Sequence, residues 1–147
     1  MEKMQYRALG NTGIQISRIA FGCGPVAEVM TRAEDGSQQD TIEKAIEMGI
    51  NWFDTARTYG DGLSEQNLGR CLQNLDVRQE VHIASKVRLM PDELQDIAGS
   101  IERSVVQSLE NLNCQSLTLI QLHNAITVNR QDQPTSLAVA DVLGSSG

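Results

Sequence analysis

Two rhythms of apolar and polar residues run along this chain, and the switch from one to the other recurs. Short runs such as Arg18-Ile19-Ala20-Phe21, Ile50-Asn51-Trp52-Phe53, Val81-His82-Ile83-Ala84 and Leu117-Thr118-Leu119-Ile120-Gln121-Leu122 are β-branched, aromatic or leucine-rich, and each stops at polar residues or glycines. They predict buried strands. Between them the apolar residues fall at helical spacing: Ile42, Ala45, Ile46 and Met48, ending at Gly49; Leu63, Leu68, Cys71, Leu72 and Leu75; then Ile97, Ile101, Val105, Leu109 and Leu112. These predict amphipathic helices covering a sheet. Ser37 and Ser64 are the expected caps of the first two, and Pro91-Asp92-Glu93 opens the third.

Before the first main strand, Gln5–Leu9 and Ile14–Ser17 flank Gly10-Asn11-Thr12-Gly13, a hairpin pattern. The domain plan is thus a hairpin over about 4–17 and βα units over about 18–124, repeating at roughly 30 to 37 residues. Strands alternating with helices predict an α/β parallel sheet with right-handed crossovers. From Ala125 the chain turns polar through Asn129–Pro134, recovers briefly at Leu137–Ala140 and stops at Gly144–Gly147, so 125–147 reads as a polar loop and end with no fifth strand-helix unit.

Composition narrows the function classes. Forty per cent apolar and 21% charged residues over 147 positions suit one globular unit. A formal charge of −7 and the lack of any Lys/Arg run argue against a nucleic-acid partner. No stretch nears the roughly 18 apolar residues of a membrane span, and Met1–Arg7 lacks the apolar core of a signal peptide, so a cytoplasmic location is expected. Cys23, Cys71 and Cys114 are odd in number and widely spaced, which predicts reduced structural thiols and neither a disulfide framework nor a metal site.

In a parallel sheet all carboxyl ends of strands share one face, where α/β proteins place their chemistry. Asp54, Lys86 and His123 each follow the end of a different apolar run, and Tyr59 sits in the loop after Asp54, ahead of Gly60-Asp61-Gly62. Three strands are therefore expected to bring an acid, an amine and an imidazole to one rim. An ammonium beside a phenol favours phenolate, and a carboxylate facing the lysine keeps it charged and fixed, so Tyr59 is a candidate general acid. His123 is a candidate donor to a carbonyl oxygen. Arg57 and Asn124 lie near enough to the rim to be candidate substrate contacts. His82, at the start of its strand, gets no catalytic role.

The motifs Phe53-Asp54-Thr55-Ala56 with Tyr59-Gly60, Ser64-Glu65 with Leu68-Gly69, Ala84-Ser85-Lys86, Leu122-His123, and Leu9-Gly10 through Thr12-Gly13 together resemble the N-terminal half of an aldo-keto reductase. The resemblance implies the N-terminal half of a (β/α)8 TIM barrel, about four parallel strands preceded by the hairpin. It also implies reversible reduction of small aldehydes or ketones with NADPH. Tyr59 would then be the proton donor, Asp54 and Lys86 its tuning pair, and His123 the carbonyl-orienting residue. Gly22, Cys23 and Gly24, together with Asp54, would lie at the nicotinamide side of the cofactor.

A complete barrel takes about 250 residues, and the implied phosphate-binding residues belong mainly to later strands. The expectation is therefore a partial barrel that binds NADPH weakly and does not turn over by itself. Two readings compete with the reductase: a non-catalytic half-barrel that pairs with another half or self-associates through its open edges, and a redox-sensing regulatory subunit.

Overall fold

The computed structural model describes residues 3–26, 28–32, 36–133 and 135–143. Met1, Glu2, the polar Glu34-Asp35 pair, Pro134 and the Gly144–Gly147 end lie outside the described residues. Strands β1 (Tyr6–Ala8) and β2 (Gln15–Ser17) form the expected antiparallel hairpin, with Tyr6 opposite Ser17. The main sheet follows in the order β3 (Phe21–Gly22), β4 (Trp52–Asp54), β5 (His82–Val87), β6 (Leu119–Leu122), all parallel. Helices α1 (Ser37–Glu47), α2 (Leu63–Asn74) and α3 (Ile97–Asn111) cross between successive strands, so strand order follows chain order. This is the N-terminal half of a (β/α)8 barrel.

Strand side chains alternate between two faces. One face carries Phe53 and Ile83, both fully buried, and packs with Ile42, Leu68, Cys71 and Leu72 of α1 and α2 into the larger apolar cluster. Phe21 stacks obliquely on Phe53 at 5.7 Å between ring centroids. The other face carries Trp52 and Asp54 beside His82 and Ala84, in register. Lys86 therefore shares a face with Asp54, because Ala84 pairs with Asp54 and Lys86 lies two residues further on.

Both serines expected as caps have other roles. Gly36 and Gly62 occupy the N-cap positions, and neither helix start has a side-chain cap. Ser37 lies inside α1 and accepts from Arg32, while Ser64 lies inside α2, fully buried. Residues 60 to 62 turn with positive φ throughout, 60°, 52° and 94°, which brings the chain sharply from the strand end into α2 with no room for a capping side chain.

The third helix also differs from its expected form. Pro91–Gln95 is a separate 3₁₀ turn, and Asp96 caps α3 by accepting from Gly99 N at 3.1 Å. The buried stripe of α3 is Ser100, Ser104 and Ser108. Ile97, Ile101 and Val105 are half-buried against a second cluster of Val87, Leu89, Leu94 and Leu137. Small residues let α3 come in close: at Leu112, just past the helix, the backbone lies 2.5 Å from where a Cβ on Gly69 of α2 would stand.

The segment after Asn124 is more ordered than a polar loop. It forms a short parallel pair, β7 (Ile126–Thr127) with β8 (Leu137–Ala138), and a short helix α4 (Val139–Leu143). Leu137 is 2% exposed and anchors this segment on the second cluster, so one buried leucine outweighs the polar composition around it.

Candidate active site

The rim is built from strand ends at slightly different heights. Asp54 is the last residue of β4, Lys86 is the next-to-last of β5, and His123 follows β6 directly. Lys86 is thus inside its strand, not beyond it, because β5 continues to pair with β6 through Lys86–Gln121 and Val87–Leu122. Its ammonium donates to the Asp54 carboxylate and, at 2.9 Å, to the Thr55 carbonyl. The same nitrogen lies 4.7 Å from the Tyr59 ring centroid, and the His123 ring meets Tyr59 edge-on at 5.9 Å. The four residues expected to act together therefore form one connected series, Asp54 to Lys86 to Tyr59 to His123.

A fully buried polar scaffold stands behind them. Ser64 Oγ and Thr55 Oγ1 share a hydrogen bond of 2.8 Å, and Ser64 donates to the Cys23 carbonyl at 2.9 Å. Thr55 thus links Lys86 through its carbonyl to the β3 loop through its hydroxyl. Glu65, with no exposure, accepts from Ser85 Oγ at 2.6 Å and from Asn111 Nδ2 at 2.9 Å, tying α2 to the strand residue next to Lys86 and to α3. Sequence reasoning had picked up Glu65 as part of a motif and missed this role.

His123 Nδ1 is buried without a hydrogen-bond partner. Burial, and then the positive charges of Lys86 and Arg88, hold the imidazole below its ordinary pKa despite the opposing pull of Asp54. The neutral ring, which keeps one N–H to donate, is favoured. Burial pushes the Cys23 thiol far up, so it stays protonated.

The cofactor and substrate candidates divide. Gly22 has open space where a side chain would stand, and a Cβ on Gly24 would touch the Tyr59 ring at 3.6 Å, so this loop leaves clear backbone beside Tyr59. Cys23 departs from its expected role. Its side chain is fully buried, its N–H donates to Asp54 O and its carbonyl accepts from Ser64, so it has no free group to offer a cofactor. Asn124 departs likewise: its amide accepts from Leu89 N and donates to Leu89 O and Thr135 O, and it clamps the β5 loop to the segment before β8. Arg57 donates from Nε to Ser104 Oγ at 3.1 Å and lines an open groove. His82 contacts Trp52 and Thr118 at the other end of β5. No metal-binding group of His, Cys, Asp or Glu occurs among the described residues, and no described helix is long and apolar enough to cross a membrane.

Comparison with known proteins agrees with this geometry. L-galactose dehydrogenase of Arabidopsis thaliana is 34% identical over 125 residues, which cover 84% of this chain and 39% of the plant protein. The holo form of aldo-keto reductase AKR11C1 from Bacillus halodurans superposes with a TM-score of 0.70 at 27% identity, over 90% of this chain and 44% of its own. An aldo-keto reductase of Klebsiella pneumoniae in complex with NADPH gives 0.58 at 26% identity, over 76% and 37%. The chain spans about two fifths of the length of these relatives. The Aldo/keto reductase family model matches residues 18–143, and on that match, with the half-barrel and its clustered rim, the chain belongs to the aldo/keto reductase family.

Proposed function

We propose that these residues form the proton-transfer half of an NADPH-dependent carbonyl reductase, working in a barrel completed by four further βα units. The observation that carries this reading is the single lysine nitrogen that bonds to Asp54 and Thr55 while lying 4.7 Å from the Tyr59 ring centroid. Such a site needs a phenol whose proton is easily given up, held beside a fixed positive charge. NADPH, when bound, supplies hydride to the carbonyl carbon, and the open backbone at Gly22 and Gly24 beside Tyr59 fits the approach of a flat ring.

In this reading Tyr59 gives its hydroxyl proton to the carbonyl oxygen as the carbon receives hydride, so an aldehyde or ketone becomes an alcohol. Lys86 stabilises the phenolate left behind, and Asp54 keeps the ammonium in place. His123 donates a hydrogen bond to the substrate oxygen, a role that its depressed pKa supports because a neutral imidazole does not repel Lys86. Small carbonyl compounds and their alcohols are the proposed substrates, and a cytoplasmic site of action goes with Cys23, Cys71 and Cys114 forming no disulfide among the described residues. The test is transfer of deuterium from the 4-position of labelled NADPH into the alcohol product by the completed barrel. Label in the product, in step with NADPH consumption, is expected. NADPH oxidation without labelled alcohol overturns the reading.

A further inference from the structure

Beside the Tyr59 loop a groove of about 660 Å³ lies between the start of α2, the β5 loop and α3. Arg57 from the loop after β4 and Arg88 from the loop after β5 both line it. Arg57 is anchored by Nε to Ser104, itself 5% exposed, and Arg88 reaches Thr135 Oγ1 at 3.5 Å, the outer limit of a hydrogen bond. Among the described residues neither guanidinium has a carboxylate partner, and Asp61, on the same groove, pairs with neither. Elsewhere Arg103 and Arg130 are each paired with an aspartate, as expected in a chain where acidic residues outnumber basic ones 19 to 12. Two of the groove's three amide side chains are spent internally: Gln107 donates to Asn111, and Asn111 donates to Glu65.

We propose that this groove is an anion subsite of the substrate pocket, where Arg57 and Arg88 hold the carboxylate or phosphate of a carbonyl substrate whose reacting carbon lies at Tyr59 and His123. The proposal rests on the reductase reading and names its substrate class. A guanidinium presents planar paired donors that match an oxyanion, and two of them lining one groove from separate loops can fix its position as a lone surface cation does not. Arg88 follows Val87, whose carbonyl accepts from His123 N–H at 2.8 Å, and its charge helps depress that imidazole, so an anion held there lies near the carbonyl-orienting residue. The acidic surface elsewhere repels such a substrate and leaves this groove as the favourable landing point.

The direct test needs no turnover. The 147-residue chain is titrated with terephthalate and separately with inorganic phosphate at constant ionic strength, and the arginine Nε–H signals are followed by NMR. Saturable shifts at Arg57 and Arg88 are expected, weakened about tenfold in the exposed-site variant Arg88→Met. Tighter binding of terephthalate assigns a carboxylate substrate, and tighter binding of phosphate assigns a phosphorylated one. Shifts no larger than those from chloride overturn the subsite. In the completed barrel, the ratio of kcat/KM for 4-carboxybenzaldehyde over benzaldehyde is expected to fall about tenfold in Arg88→Met, and an unchanged ratio contradicts the proposal. A barrel inactive on both aldehydes breaks the reductase reading, and the titration still decides the subsite.

Discussion

Lys86 is the residue on which the site turns, since one ammonium serves a carboxylate, a carbonyl and an aromatic ring. Its neighbour in function, His123, makes a pH prediction. The folded imidazole titrates below its ordinary value near 6.5, so the unfolded chain takes up the proton first as pH falls. The contribution of His123 to stability is therefore complete above about pH 6.5 and is lost as pH drops through the lower folded value. His123→Gln is expected to flatten that part of the acid unfolding curve. Arg88→Met removes one of the depressing charges and is expected to raise the His123 midpoint in an NMR titration; a lowered or unmoved midpoint contradicts the assignment. Thiol labelling separates the cysteines: buried Cys23 and Cys71 should react far more slowly than half-buried Cys114 under native conditions. That Asp54, Lys86 and His123 share one rim, with Tyr59 in the loop after Asp54, was legible in the sequence because each of the three stands at or near the end of an apolar run that periodicity marks. The occupied amide of Asn124 and the buried carboxylate of Glu65 were not, because each is defined by partners 11 to 46 residues away that no local pattern announces. Glu65→Leu strands the Ser85 hydroxyl and the Asn111 amide together, at an expected cost of about 3 kcal/mol in a denaturation experiment.

Among the elements, the hairpin, the four main strands and the three covering helices follow from period and turn residues, and the errors lie at their ends. A serine before an apolar helical run is a good cap in general, yet Gly36 and Gly62 take those positions, and the buried Ser64 bonds to Thr55 and Cys23 instead. The serine stripe of α3 was hidden for a related reason. Hydrophobic spacing marks Ile97, Ile101 and Val105, but the buried side of α3 carries Ser100, Ser104 and Ser108, and the close approach of α2 to the end of α3 is made at Gly69 against Leu112. Gly69→Ala tests that close contact. A Cβ there would stand 2.5 to 2.8 Å from the Leu112 backbone, so α2 and α3 must separate, and a loss of about 1–3 kcal/mol is expected despite alanine's better helix propensity. A variant as stable as the parent would show that the two helices are not in this contact.

For the molecule as a whole, the half-barrel by itself holds Asp54, Lys86, Tyr59 and His123 in one connected cluster. Cofactor affinity is another matter. Gly22 leaves open space where a side chain would stand, whereas the net charge of −7 opposes a polyanionic ligand. Residues 1–147 alone are expected to bind NADPH at about millimolar Kd or weaker by isothermal titration, and a completed barrel much more tightly. Saturable micromolar binding to the segment alone would imply that two copies rebuild a full site. The measurement closest to the central claim is the single-turnover rate of carbonyl-dependent NADPH oxidation by the completed barrel, compared between the parent and Tyr59→Phe. Removing one hydroxyl leaves the ring against Lys86 and His123, so the fold should persist while the rate falls about 10²- to 10⁴-fold, the usual contribution of a general acid. A Tyr59→Phe barrel that oxidises NADPH at the parent rate would contradict the account.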